Sequence, residues 1–286
     1  MRSSVTIGKF DGFHLGHKVL LDRIVQVAGE SDDIESVCIK LSGSTPSIFT
    51  PEEDGEYLGS IGVDQLANIR FEDISDMSPE EFVRDILVNL YNVCFVAVGE
   101  DFCFGKDRAG DINTLSELGK KYGFEVEAIP KKSEDGNAIS STLVKDMLAQ
   151  GDVVKASQLL GRSYSMSGTV KGGKKLGRTL GYPTINLDTP ERLLPRFGVY
   201  ASTVVIISDD DPYQTETRKG ITNIGIRPSV EDGDQPTIET FLYDFDEDIY
   251  GRSVILTLDG FIRPEKKFEN LDELVTQIKK DIDSLK

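Results

Sequence analysis

The segment Val5-Thr6-Ile7-Gly8-Lys9-Phe10-Asp11-Gly12-Phe13-His14-Leu15-Gly16-His17 joins a short apolar stretch to a glycine-bearing turn. Apolar residues then recur at helical spacing, at Val19, Leu20, Ile24 and Val27. A strand, a turn and a helix start are the parts of a phosphate site, because backbone N–H groups and the helix dipole attract an anion there. The segment therefore predicts a strand–turn–helix unit with an anion site at its turn.

Both histidines of the chain, His14 and His17, fall in this segment. Two imidazoles at such a turn can hydrogen-bond phosphate oxygens, one from the turn and one from the first helical turn. The opposing interpretation, a pair of structural histidines with satisfied hydrogen bonds, is equally open on these residues alone. The other phosphate-binding candidates of the turn are Gly8, Lys9, Phe10, Asp11, Gly12 and Gly16.

Composition limits the class of partner. The chain has 286 residues, the length of about two average domains. Its formal net charge of −17 argues against a nucleic-acid or anionic-membrane partner, because both reward a basic surface. Nucleotides stay open, since Mg²⁺ and a few local cations can bind phosphates on an acidic protein. We therefore expect small-molecule substrates; the residues predict no oligomeric state.

The cysteines and the apolar runs bear on location. Cys38, Cys94 and Cys103 are odd in number and form no C-x-x-C pair, which favours reduced thiols in a cytoplasmic protein. With both histidines at the turn, a zinc site is not expected. The apolar run 5–7 is too short for a signal peptide, and no run approaches the roughly 18 residues of a membrane span.

The first half alternates strand-like and helix-like segments, which predicts a parallel sheet of the Rossmann-like α/β class with its ligands at the carboxyl ends of the strands. The predicted strands cover 5–7, 36–41, 93–98 and 125–129. The predicted helices cover 17–29, 79–90 and 115–122. Ser78 with Glu81 three residues later is the capping pattern that opens the second of these helices.

The second half has longer alternating strands separated by turn residues, a pattern typical of an antiparallel β-barrel. These strands are predicted over 165–170, 199–207, 220–226, 237–245 and 254–261. The chain ends in a helix with one apolar face, from Leu271 to Leu285. A helical pair, 142–149 and 153–160, precedes the change of pattern. We therefore predict domains over 1–158 and 159–286.

Residues 168–186 contain five glycines, three lysines and an arginine. Glycines let a backbone approach phosphates, and the cations can neutralise them. A P-loop is excluded because Lys175 stands where a Ser or Thr must hold Mg²⁺, and Pro183 prevents a long helix after the loop. Thr184 and Asn186 lie two apart, so on a strand they share a face and can offer oxygen atoms to Mg²⁺. The phosphate-binding candidates are Gly168, Gly173, Lys174, Gly177, Arg178, Gly181 and Pro183. A lysine-rich surface hairpin is the alternative.

The second half resembles riboflavin kinases. The similarity lies in 168–186, 198–201, 223–225 with 227–228, 238–240, 248–251 and 263–268. The first half resembles the FAD synthetase domain that is fused to that kinase in bacteria. Its matching segments are 10–12, 14–17, 99, 101–102, 104–105, 109–110 and 139–142. The resemblance thus covers nearly the whole chain.

The resemblance implies two ATP-dependent reactions. In the first, the 5′-hydroxyl of riboflavin attacks the γ-phosphate of ATP to give FMN, with Glu239 as general base and Mg²⁺ positioned by Thr184 and Asn186. In the second, the phosphate of FMN attacks the α-phosphate of ATP to give FAD. For the second reaction, the resemblance implies that His14 and His17 stabilise charge on the phosphates. It implies that Ser141, Thr142 and Lys145 bind those phosphates. The residues it implies for flavin binding are Asp101, Phe102 and Arg263.

Four positions depart from the pattern of the FAD synthetase domain. Lys9 replaces a small polar residue, the segment 40–46 lacks an expected histidine, and Cys103 and Lys145 each stand in place of an arginine. Lysine keeps the charge of arginine but loses its bidentate fork. Two alternatives to a bifunctional enzyme follow: a riboflavin kinase with a degenerate N-terminal domain, and a non-catalytic flavin-binding regulator.

Overall fold

The computed structural model describes residues 1–43, 46–134, 137–172, 184–211, 213–227, 235–266 and 268–284. The chain divides into two compact units, Met1–Leu143 and Val144–Lys286. The division falls inside the helix Ser141–Gln150, N-terminal to the domain boundary predicted between 158 and 159.

The N-terminal unit is built on a five-stranded sheet in the order β3-β2-β1-β4-β5, and every pair is parallel. The strands are β1 (Arg2–Gly8), β2 (Ile34–Ser42), β3 (Gln65–Arg70), β4 (Val93–Gly99) and β5 (Glu125–Ile129). A small hairpin follows, β6 (Ser133–Glu134) and β7 (Asn137–Ala138). The predicted parallel sheet is confirmed, with one strand, β3, that the sequence analysis did not assign.

Helices cover this sheet and connect its strands. They are α1 (Leu15–Ala28), α2 (Pro51–Ser60), α3 (Phe71–Ile74), α4 (Pro79–Glu81) and α5 (Ile112–Tyr122). The next helix, α6 (Ser141–Gln150), is the one that contains the division between the two units. The helix predicted over 79–90 does begin at the Ser78–Glu81 capping box. After one turn, however, it continues as a π-helix, Phe82–Leu90, in which the N–H of Tyr91 donates to the carbonyl oxygen of Ile86.

Both faces of the sheet are buried, which explains the continuous apolar run in β4. On one face Val5 and Val96 belong to a core shared with Phe82 and Leu115. On the other face Cys38 and Ala97 pack in a second core with residues of α1. Because all five strands run parallel, the loops that follow them open at one edge of the sheet.

The C-terminal unit is a closed antiparallel barrel in the order β10-β11-β12-β9-β8-β13. Its strands are β8 (Ser165–Lys171), β9 (Thr184–Asp188), β10 (Gly198–Ile207), β11 (Thr215–Arg227), β12 (Gln235–Leu242) and β13 (Ser253–Arg263). The helices of this unit include α7 (Val153–Leu160) and the terminal α8 (Leu271–Asp283). The predicted barrel and terminal helix are confirmed.

Buried and outward-facing side chains alternate along β12. Ile238, Thr240 and Leu242 are buried, and the Thr240 hydroxyl lies 2.8 Å from that of Thr222, which donates in turn to Ser202. Because successive strand residues face opposite sides, Glu239 lies on the outer face of the barrel.

In the described part of the chain, no helix is long and apolar enough to cross a membrane.

Candidate active sites

The N-terminal unit has a pocket of about 360 Å³ at the carboxyl edge of its sheet. It lies between the start of α1, which follows β1, and the ends of β4 and β5. The order of the strands reverses between β1 and β4, and this is the usual ligand position in an open parallel sheet. The residues that line it include His14, His17, Gly99, Asp101, Lys131, Lys132, Ser141 and Thr142. The structure therefore brings together residues that the sequence analysis assigned separately to the turn, to a strand end and to a later helix start.

His14 is the N-cap of α1, and its Nδ1 accepts a hydrogen bond from the N–H of Gly16 at 3.1 Å. The rings of His14 and His17 stack with their centroids 3.6 Å apart. A Cβ on residue 16 would stand 3.0 Å from the His14 ring and 3.2 Å from the carbonyl oxygen of Ile139. A side chain at position 16 would therefore crowd the imidazole against the start of the helix.

Both imidazoles are neutral at pH 7. His14 is 4% exposed, and its burial lowers its pKa from 6.5 to about 4. Burial also lowers the pKa of His17 well below 6.5, helped by the neighbouring His14 and Lys40. Since Nδ1 of His14 accepts a hydrogen bond, the ring proton must be on Nε2. His14 can therefore offer phosphate an N–H donor rather than a full positive charge.

Titration of the two histidines tests whether both imidazoles are buried and neutral. We expect neither imidazole to titrate between pH 8 and 6, and His14 to titrate with a midpoint at about pH 4. The unfolded chain then binds more protons between pH 6.5 and about 4, so the free energy of unfolding falls as the pH drops through that window. NMR can follow both rings because the chain has 2 histidines. A midpoint near 6.5 for either ring would contradict the buried, neutral pair.

The side chains of the turn mostly hold the turn itself. The Asp11 carboxylate accepts from the N–H of Ile48 at 2.8 Å, and its carbonyl oxygen accepts from the Ser141 hydroxyl at 2.8 Å. Phe10 is 1% exposed and packs against the edge of the His17 ring. Any contact of Phe10 or Asp11 with phosphate would thus come through their backbone groups. The predicted roles of Gly8, Lys9, Gly12 and Thr142 stay predictions.

Two of the residues predicted to bind flavin have partners of their own. Asp101 pairs with Lys131 at 2.8 Å, and Lys131 holds the pKa of that carboxyl below its ordinary value. Phe102 stacks on Phe104 and packs against the core. Lys131 and Lys132 are pocket residues that the sequence analysis missed, although their place directly after a predicted strand was a usable signal. Lys145, predicted to bind phosphate, lies further along α6 in the C-terminal unit.

A buried ion pair, also missed from the sequence, stands beside the turn. Lys40, at the end of β2, is directly opposite Gly8 in the strand register and pairs with Asp54 of α2. Lys40 is 6% exposed and Asp54 is fully buried. The Lys40 ammonium also lies over the Phe13 ring, 5.7 Å from its centroid. This pair occupies the strand end at which the resemblance implies a histidine that this chain lacks.

Removing one member of this pair should destabilise the N-terminal unit. Asp54→Asn leaves the Lys40 charge buried without its counter-charge, and we expect a loss of about 3 kcal/mol in the free energy of unfolding. The double substitution Lys40→Met/Asp54→Leu removes both charges and should recover most of that loss. Denaturant unfolding of the two variants measures the difference, and equal losses in both would contradict this role of the pair.

The C-terminal unit presents a row of polar side chains on three neighbouring strands. Glu239 of β12 is directly opposite Asn186 of β9 on one side and Asn223 of β11 on the other. Thr184 lies two residues before Asn186, on the same face of β9, opposite Phe241. A carboxylate that can accept a proton therefore lies beside the hydroxyl and amide oxygens predicted to hold Mg²⁺.

The other residues predicted for a site in this unit are Gly168, Arg263 and six residues between 173 and 183. Gly168 lies in β8, and its role in binding phosphate stays a prediction. The guanidinium of Arg263 donates from Nε to Oδ1 of Asp281 in α8 at 3.1 Å and from Nη2 to Oδ2 at 2.9 Å, so it fastens the terminal helix to the barrel. The predicted residues outside the described part of the chain are Gly173, Lys174, Gly177, Arg178, Gly181 and Pro183.

Comparisons with known proteins agree with this two-part organisation. The riboflavin kinase family profile matches residues 160–286, and the FAD synthetase family profile matches residues 1–143. The bifunctional riboflavin kinase/FMN adenylyltransferase of Escherichia coli K12 is 35% identical over 97% of this chain and 90% of its own length. The enzyme of that name from Pseudomonas fluorescens is 36% identical over 97% and 90%.

A solved structure shares the whole fold. A protein of Streptococcus pneumoniae described as a macrolide-efflux protein superposes with a TM-score of 0.83 at 29% identity, over 99% of this chain and 93% of its own. Fold and sites together define a two-domain protein that joins a nucleotidyltransferase-type α/β unit to a kinase-type barrel. The chain belongs to the bifunctional riboflavin kinase/FMN adenylyltransferase family.

Proposed function

We propose that the protein phosphorylates riboflavin to FMN with ATP and then adenylylates FMN to FAD with a second ATP. The kinase assignment rests on the side-by-side position of Asn186, Glu239 and Asn223 on three neighbouring strands. Thr184 lies on the same face of β9 as Asn186. A general base next to oxygen donors is what phosphoryl transfer to an alcohol needs, because positioning and charge neutralisation dominate that reaction.

In the kinase reaction Glu239 takes the proton of the riboflavin 5′-hydroxyl as its oxygen bonds to the γ-phosphorus, and ADP leaves with the electron pair of the broken P–O bond. Thr184 and Asn186 suit Mg²⁺, which prefers oxygen ligands and usually shares them with substrate phosphates. Once bound there, Mg²⁺ neutralises phosphate charge. Among the described residues no cluster of three or more His, Cys, Asp or Glu suggests another metal centre.

In the adenylyltransferase reaction a phosphate oxygen of FMN bonds to the α-phosphorus of ATP, and pyrophosphate leaves. His14 and His17 stabilise the negative charge that develops on the phosphates, and Ser141 and Thr142 bind them from the start of α6. Preorganised N–H donors in a water-poor pocket can supply much of such an acceleration. No covalent enzyme intermediate is required.

The main rival is a kinase with an inactive N-terminal unit. It draws support from the buried Lys40–Asp54 pair, which changes the charge and shape of the strand end beside the histidine turn. The exposed Lys9 and the half-buried Cys103 are further departures at the same edge of the sheet. We nevertheless favour the bifunctional enzyme because both imidazoles, the pocket and the Ser141 contact are in place, and we propose that it works in the cytoplasm.

Chromatography of the reaction products distinguishes these alternatives. The purified protein with riboflavin, ATP and Mg²⁺ should yield FMN first and then FAD. FMN without FAD, even when FMN is supplied as the substrate, would identify a monofunctional kinase. If neither product forms while flavin still binds, the protein is a non-catalytic flavin-binding regulator and both enzymatic assignments are wrong.

A further inference from the structure

The position of Glu239 in its sheet defines where the flavin substrate must extend. Glu239 is on the middle strand, β12, of the three neighbouring strands β9, β12 and β11. The proposed metal and phosphate residues, Thr184 and Asn186, are on β9, to one side. The alcohol that Glu239 deprotonates lies at the carboxylate itself. The rest of the acceptor molecule therefore extends to the other side, over β11.

Two residues of β11 present this face. Asn223 is directly opposite Glu239, and Gly225, two residues on, is opposite Thr237. Gly225 therefore lies diagonally across from Glu239 on the same face. Diagonal neighbours in an antiparallel pair of strands are about 7–8 Å apart. Because Gly225 has no side chain, this position is open to a group from elsewhere in the chain.

That group is a carboxylate. The side chain of Glu265, two residues beyond the end of β13, fills the place where a Cβ on residue 225 would stand. Glu265 itself is exposed, so its oxygen atoms can accept hydrogen bonds from a ligand as well as cover the glycine. Any larger residue at 225 would push the carboxylate away.

We propose that Glu265 is a specificity-determining residue that binds the hydroxyl groups of the acceptor's ribityl chain, with Asn223 between it and the base. This inference rests on the proposed kinase function. A ribityl chain carries hydroxyls on successive carbons, so a chain laid from Glu239 across β11 brings its inner hydroxyls to Asn223 and Glu265. Carboxylate oxygens are strong acceptors for such groups, and a site built to bind a hydroxyl discriminates sharply against ligands that lack it.

The test compares a flavin that has the polyol with one that lacks it. The KM for riboflavin and the inhibition constant of lumiflavin, which has the isoalloxazine ring without the ribityl chain, are measured in the kinase reaction. We expect Glu265→Ala and Gly225→Ala each to raise the KM for riboflavin about tenfold. The lumiflavin constant and the KM for ATP should stay at the wild-type values.

Gly260→Ala is the matched control for the glycine substitution, since a Cβ there would meet nothing within 4 Å. Glu265→Ala guards against a folding defect in Gly225→Ala, because it truncates an exposed side chain. An unchanged riboflavin KM in Glu265→Ala, or a parallel rise in the lumiflavin constant, would overturn the inference. Wild-type protein without kinase activity would instead overturn the proposed function.

Discussion

Glu239→Gln should lower the kcat of riboflavin phosphorylation by roughly 100-fold or more, within the range of a lost general base. Glutamine keeps the size of the side chain and its place between Asn186 and Asn223 on the outer face of the barrel. It cannot take the proton from the 5′-hydroxyl, so the loss should fall on kcat with little change in the KM for ATP. Conversion of supplied FMN to FAD should continue unchanged.

Glu216→Gln is the control, because Glu216 is a glutamate of the neighbouring strand β11 that lies opposite Ile206, far along the strand from the active row. It should leave the kinase rate at the wild-type value. If Glu239→Gln retained full kinase activity, Glu239 would be an ordinary outward-facing acidic residue of an alternating strand. Equal losses of both activities would indicate a folding defect rather than a lost base.

His14→Asn should lower the kcat for FMN adenylylation by about 100-fold, as expected when one donor to a developing charge is removed. The Asn side chain can still accept from the N–H of Gly16, so the start of α1 stays capped. What disappears is the Nε2–H donor, because the shorter side chain does not reach that position. Thermal unfolding should therefore change little while the activity falls.

His14→Gln is the complementary control. Its amide nitrogen can stand near the position of Nε2, while its cap to the Gly16 N–H is lost, so it should retain more activity and lose more stability than His14→Asn. If His14→Asn were fully active and His14→Gln less active, His14 and His17 would be a structural pair, the alternative that the sequence also allows.

Local patterns account for the elements that the sequence predicted. The run in β4 is apolar on both faces, and Ser78 with Glu81 forms the capping box that its spacing indicates. β3 was missed because it is an edge strand in which Ala67 alone is buried, so no apolar run marks it. The segment of α2 carries a capping box at Thr50, but two glycines and four acidic residues among its ten residues obscure the helical pattern.

The site was predictable where it depends on neighbours in the chain. The two-residue spacing of Thr184 and Asn186 places them on one face of β9, and the histidines share one turn. The lowered pKa values of the imidazoles were not predictable, because burial comes from packing. The register that aligns Asn223 with Glu239 and the approach of Glu265 to Gly225 are likewise set by strands far apart in sequence.

Two reactions at two separate sites of one chain are tested most directly by the products that two variants form, alone and mixed. With riboflavin, ATP and Mg²⁺, His14→Asn should accumulate FMN with little FAD, and Glu239→Gln should form little of either. Mixed, the two variants should make FAD, because FMN released by one serves the intact N-terminal site of the other. A folded Glu239→Gln protein that cannot convert supplied FMN to FAD, together with a mixture that stops at FMN, would contradict the assignment.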